Sequence, residues 1–288
     1  MALRTKFGAT VFEPFEYQFF VRGLIAATLV GGLCGLLGVY IVLRQMSYIG
    51  HGLSHAIFGG AVVSYVMSIN FYIGASLWGF LSALLINLMT RRRPTIGADA
   101  AIGIITTASF ALGIALISRY RTFTRSFDAA LFGNILGVSD GDLVAIALVA
   151  VLVVVVVMLS YRQLLFITFD PDVARFFGVP TGWMDALFSL ALAGTVVVSM
   201  QVLGVTMIAA AIVIPPIVGR LLTDSFHRMV LISVVTGAAS GLLGIYVSWY
   251  ADVSSGATVV LVAVGLFVVA LAYSSWRGRT PRLGGMHA

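Results

Sequence analysis

Apolar residues fill most of this chain in runs of roughly twenty, each closed by a short polar or glycine-bearing break. That is the length an α-helix needs to cross about 30 Å of hydrocarbon. The pattern predicts about nine such helices, at residues 20–43, 48–68, 71–90, 100–118, 142–161, 182–200, 203–222, 229–249 and 256–273. Soft boundaries make the range eight to ten by the same length rule. The division at Gln201 is the least marked, because the apolar run there is almost continuous. Backbone polar groups must be satisfied internally in lipid, so runs of this length imply an all-α polytopic membrane helix bundle. Residues 1–288 form a single transmembrane domain on this reading.

Composition agrees. The chain is 60% hydrophobic and 10% charged, with a mean hydropathy of +1.06, whereas a soluble domain carries about 25% charged residues. The net charge of +6 is spread over the breaks and forms no basic patch interleaved with aromatics. It orients the protein in the bilayer, and no nucleic acid is implied. If the break after the first run is cytoplasmic, so are Arg44, Arg91, Arg92, Arg93, Arg162, Arg175, Arg220, Arg228, Arg277, Arg279 and Arg282. Roughly two thirds of the basic residues then lie inside, as the positive-inside bias expects, with Arg119, Arg121 and Arg125 on the opposite side. The N-terminus is outside and the C-terminus inside in this scheme. The first twenty residues lack a short apolar core with a small-residue cleavage site and form an exposed lead-in.

Lys6 is the only lysine, which excludes the G-x-x-x-x-G-K-[ST] phosphate loop and with it an ATPase site in this chain. Cys34 lies in an apolar run and has no partner for an intrachain disulfide. Small residues crowd the runs at GGLCGLLG (31–38), GAASGLLG (237–244) and Ala209, Ala210 and Ala211. Close backbone approach through such residues drives helix association in lipid, so these runs are built to pack on one another or on a second copy. Pro215 and Pro216 fall inside the seventh run and should kink or break it. The alternatives are a static kink and a moving helix beside a pathway.

His51 and His55 make up half the histidines and stand in the first turns of the second run. At i and i+4 they share a helix face and can share a ligand. Ionisable groups in a membrane span mark functional sites, and imidazole suits zinc, iron, copper and nickel. Gly52 occupies the place of the glutamate in H-E-x-x-H, so metalloprotease chemistry is not expected. The other reading is a pair satisfied by helix–helix hydrogen bonds or headgroup water. Asp99, before the fourth run, either caps a helix start or lines the inner end of a cation route. Asp185 and Asp252 are expected at the interface. In the connection 162–180, Asp170 followed by Pro171 signals a helix start. Val173, Ala174, Phe176 and Phe177 give it an apolar side, and Gly178 with Pro180 stops it. A short amphipathic helix at about 169–179 could lie at the interface or insert into a cytoplasmic partner.

Together these segments resemble the membrane permease subunits of ATP-binding-cassette importers for zinc and manganese, over almost the whole chain. The family pattern M-S-x-x-G-D-x-x-x-H-A is matched by Met46, Ser47, Gly50, His51, His55 and Ala56, and its Asp-L-G-I element by Asp99, Ile102, Gly103 and Ile104. LFGNILGVSDGDL (131–143), FDPDVARFFGV (169–179), VLGVTMIAAAIVIPP (202–216) and SSGATVVLV (254–262) follow in the family's order. The resemblance implies a type II ABC importer permease-like fold in the bacterial cytoplasmic (inner) membrane. It also implies metal contact at positions 51 and 55, two permease copies, two copies of a cytoplasmic ATP-binding subunit, and an extracytoplasmic metal-binding protein. ATP would bind only the partner subunit, and no covalently bound cofactor is expected. His51 stands where the family usually has aspartate. Imidazole in place of a hard oxygen ligand favours zinc over manganese, so the expected cargo is Zn2+, with Mn2+ or Fe2+ as the alternatives. A proton-coupled secondary transporter is the rival from another class. It is disfavoured by the near absence of carboxylates in the central runs and of a clear internal repeat. A siderophore or cobalamin permease would not require the histidine pair.

Overall fold

The computed structural model describes residues 13–92, 97–120, 131–133 and 135–278. Lys6, Arg93, Arg121, Arg125, Arg279 and Arg282 lie outside these residues. Eleven α-helices are bounded within the described residues: α1 Gln18–Leu43, α2 Tyr48–Val66, α3 Phe71–Arg92, α4 Ala98–Tyr120, α5 Asp140–Leu159, α6 Tyr161–Phe169, α7 Pro171–Phe176, α8 Thr181–Leu203, α9 Ile208–Leu222, α10 Phe226–Ala251 and α11 Ser255–Trp276. No strand occurs among the described residues. Each expected apolar run is helical, yet among the described residues seven helices (α1, α3, α4, α5, α8, α10 and α11) are long and apolar enough to cross a membrane. The expected count of nine is therefore not confirmed. α2 is diluted by its histidines, serines and glycines. α9 has 15 residues, about 22 Å of helix at 1.5 Å per residue.

Polar contacts tie each end of the bundle together. At one end Arg22 of α1 pairs with Asp140 of α5 at 2.6 Å, and the Tyr72 hydroxyl of α3 donates to Asp142 at 2.6 Å. α5 starts with a capping box in which Ser139 and Asp142 satisfy each other's backbone N–H groups. At the other end Arg44, just past α1, pairs with Asp185 of α8 at 3.0 Å.

The small residues form the seam they were expected to form. α1 packs along α10, antiparallel, with Ala27, Gly31 and Gly35 opposite Gly241, Gly237 and Ser233. A Cβ on Gly31 would strike the Gly237 carbonyl, and one on Gly237 would strike the Gly31 carbonyl. The buried Ser233 hydroxyl donates to the Gly35 carbonyl at 2.7 Å. Two G-x-x-x-G faces thus meet backbone to backbone. α2 packs alongside α4 by the same means, with Gly59 against the Ser109 carbonyl and Gly113.

Two local expectations are corrected. α8 continues through Gln201 to Leu203, and the chain turns at Gly204, whose φ of +74° is left-handed. A side chain there would also collide with the backbone of residues 131–133, so glycine, not the polarity of Gln201, decides the boundary. Of the kink or break expected at the prolines of α9, the break does not occur, because the helix runs on through Pro215 and Pro216. Pro216 has no N–H for the Ile212 carbonyl, and that carbonyl faces Gly38 of α1 at closest approach. Pro215 likewise leaves the Ala211 carbonyl without its helical donor.

Candidate functional site

α2 places His51 and His55 on successive turns of one face. Their ring centroids are 4.5 Å apart with the planes at 79°. The Tyr48 ring lies 5.7 Å from His51, and the edge of Phe110 from α4 closes on His55 at 4.9 Å. Both imidazoles are half-buried. His55 Nδ1 is fully buried and has no hydrogen-bond partner, a costly state for a buried polar atom. Two imidazoles in this arrangement can donate to one divalent cation, and two donors leave its coordination incomplete. The neighbouring glycines bring other helices close. Gly52 sits against Ile102 and Thr106 of α4, and Gly50 against Ile212 of the proline-bearing α9.

Asp99 is exposed in the first turn of α4. Among the described residues no group of three or more His, Cys, Asp or Glu side chains could hold a metal ion. The structure brings His51 and His55 together and leaves Asp99 outside that pair. Pro215 and Pro216 are buried one turn beyond Ile212, on the helix that touches the histidine-bearing turn.

The segment after α6 begins as its residues dictate. The Asp170 side chain accepts from the Val173 N–H at 2.9 Å, and Pro171 opens α7. The helix is six residues long, shorter than the expected 169–179. Left-handed Gly178 (φ +80°) turns the chain, and the Val179 N–H donates to the Ala174 carbonyl at 3.0 Å. The four apolar residues do not share one side. Ala174 is buried against Ile167 and Met184, Val173 is partly exposed, and Phe176 and Phe177 are 87% and 70% exposed. Two aromatic rings held out by a short, anchored helix are suited to enter a partner's groove.

One arrangement was not visible in the sequence. Arg44 Nη1 donates to Asp185 Oδ1 at 3.0 Å and Nε to the Thr168 hydroxyl at 3.1 Å, while the guanidinium lies 4.9 Å over the Phe188 ring. Burial pulls the Arg44 pKa down from its usual value, and Asp185 opposes that shift. Asp185 is therefore more than an interfacial acid. The pair is separated by 141 residues, and the only sequence signal is a single charge at the end of each apolar run.

Three of the ordered sequence segments converge at the opposite end. Gly133, Gly204 and Gly256 lie where the backbones of 131–133 and 202–204 and the start of α11 touch. The Thr206 hydroxyl donates to the Leu131 carbonyl at 2.8 Å.

A bundle of apolar helices, with a histidine pair on one of them and a short connecting helix that exposes two aromatic rings, is the architecture of a multi-pass membrane protein. The ABC 3 transport family matches residues 16–274, and the chain belongs to that family. It is 37% identical over 272 residues to the manganese transport system membrane protein MntC of Halalkalibacterium halodurans, covering 92% of this chain and 93% of the relative. A Haemophilus influenzae protein named "Probable iron transport system membrane protein" is 33% identical over 267 residues, covering 93% of this chain and 98% of the relative. The solved structure of PsaBC from Streptococcus pneumoniae in complex with Fab superposes with a TM-score of 0.81 at 32% identity. It covers 89% of this chain and 92% of that one. The zinc expectation drawn from His51 gains no support from relatives named for manganese and iron. One nitrogen donor in an incomplete site does not select a metal, because geometry, the remaining ligands and availability also decide.

Proposed function

We propose that this chain is the membrane permease of an ATP-driven importer for manganese, with iron as the nearest competing cargo. The observation that carries the reading is the His51/His55 pair, set at ligand-sharing distance in a chain whose full-length relatives are named for manganese and iron transport. Metal delivered at the extracytoplasmic face by a binding protein passes along the bundle to the pair, which stands in the first turns of α2. Two copies of the chain frame the pathway, and the α9 prolines border it. Metal leaves inward when a cytoplasmic ATP-binding subunit, one bound to each copy, rearranges the bundle through α7. The sequence has no phosphate loop of its own, so the motor must be external.

The test is ATP-dependent uptake by the chain and its ATP-binding partner in proteoliposomes, with Mn2+, Fe2+ and Zn2+ supplied separately and in competition. Manganese uptake that iron inhibits and zinc does not replace is expected. Zinc uptake without manganese uptake contradicts the proposal.

The coupling role of α7 has its own test. Phe176→Ser removes a ring that is exposed in the isolated chain, so folding should be unchanged. An aromatic anchor at an interface is worth about 2 kcal/mol or more, so affinity for the ATP-binding subunit should fall roughly 30-fold. Unchanged affinity in a pull-down titration removes α7 from the docking surface.

A further inference from the structure

Arg44 occupies the corner between the helix that bears the histidines and the segment that docks the motor. It grips both helices that flank α7: Thr168 near the end of α6 through Nε at 3.1 Å, and Asp185 near the start of α8 through Nη1 at 3.0 Å. Thr168 in turn donates to the Leu164 carbonyl at 2.6 Å, which locks the contact to the α6 backbone. Behind the guanidinium, the Phe188 ring lies tilted 6.0 Å from Tyr40 of α1, and Tyr40 meets Phe226 of α10 at 5.6 Å. Only 10% of the Arg44 side chain is exposed, and its Nη2 is buried with no hydrogen-bond partner.

The corner itself is short and stiff. Residues 44–47 join α1 to α2, Gln45 holds a left-handed φ of +57°, and the Met46 N–H donates back to the Ile41 carbonyl at 3.0 Å. His51 follows within the first turn of α2. A displacement of α6, α7 and α8 therefore reaches the start of α2 through one fixed, multiply bonded cation. Arginine suits this task because its planar fork engages two partners at once, which a lysine ammonium on a flexible stem does not.

We propose that Arg44 is a positioning residue that transmits movement of the ATPase-docking segment to the histidine-bearing helix, so that metal release is tied to ATP hydrolysis. The inference rests on the importer reading above. It is tested with Arg44→Met, Arg44→Lys and Asp185→Asn, each assembled with the ATP-binding subunit in proteoliposomes. Three quantities are read: the yield of assembled complex, the rate of ATP hydrolysis, and the manganese imported per ATP.

Loss of a coupling element should lower the metal-to-ATP ratio while hydrolysis continues. Arg44→Lys should recover part of the ratio, and Asp185→Asn, which keeps the shape and removes the charge, should lower it. Yield, hydrolysis and uptake falling in proportion, or failure of both Arg44→Met and Asp185→Asn to assemble, assigns Arg44 a purely structural role and overturns the proposal. A wild-type complex that imports metal, beside variants with an unchanged ratio, overturns this inference alone. A wild-type complex that hydrolyses ATP and moves no metal overturns the importer reading and this inference with it.

Discussion

Manganese uptake is lost in His55→Ala while the permease still folds and still binds its ATP-binding subunit. The expected loss is at least the roughly 10–100-fold that removal of even an outer-shell partner costs a metal site. His55 contributes little that holds the bundle together. Its ring is half-buried, its Nδ1 bonds to nothing, and its contacts are edge-on to His51 and Phe110. Truncation leaves space beside Phe110 without uncoupling any buried hydrogen bond. The comparison variant is His51→Asp, which places at this position the carboxylate that the resemblance implies and puts an anionic oxygen donor in place of the neutral imidazole. It should retain manganese uptake, because carboxylate oxygen suits manganese. Wild-type uptake in His55→Ala removes the pair from the transport route.

Gly237→Leu should abolish recovery of folded protein, and Gly31→Ala should lower its thermal stability measurably. At this crossing each glycine faces the other's carbonyl, so any side chain must push α1 and α10 apart. Overpacking a rigid interior costs about 1–3 kcal/mol and sometimes more. Here the displaced atoms are backbone and cannot rotate away. Separation would also break the buried Ser233 hydrogen bond to Gly35 and open the contact of Gly241 with the Ala27 carbonyl. Gly265→Ala in α11 is the control. A Cβ there meets nothing, and relieving a helix-interior glycine should raise stability by roughly 0.5–1 kcal/mol. Detergent-solubilised protein scored by thermal unfolding distinguishes the two sites. Equal effects at Gly237 and Gly265 would show that the seam does not organise the bundle.

Much of this was legible in the sequence because the deciding physics is local. Apolar run length located the helices, and the Asp170–Pro171 pair located the start of α7, since an N-cap acid and an N1 proline act on their own turn. The GGLCGLLG and GAASGLLG segments foretold a glycine seam, though not that the two would face each other antiparallel. What stayed hidden depends on neighbours far away in sequence. The end of α8 lies at Gly204 because the backbone of 131–133 presses on it, whereas the polarity of Gln201 suggested a break three residues earlier. The helix runs on through both prolines, and the Ile212 carbonyl that Pro216 leaves without a donor faces Gly38 of α1. The partition of α7, with Ala174 inward and Phe176 outward, follows from the position of Ile167 and Met184. The site was half legible. Spacing alone paired His51 with His55, whereas the Arg44–Asp185 pair bridges elements that no local pattern connects. The zinc expectation was drawn from one donor of an incomplete set, and such a donor leaves metal choice open.

The central claim is that imported manganese is held by the imidazoles of His51 and His55. X-ray absorption at the manganese K-edge, on the manganese-loaded permease assembled with its ATP-binding subunit, tests this directly. The account predicts the multiple-scattering signature of imidazole in the wild-type complex, reduced in His51→Asp and absent in a His51→Asp/His55→Ala double variant. An all-oxygen shell in the wild-type complex, identical in the double variant, would contradict it.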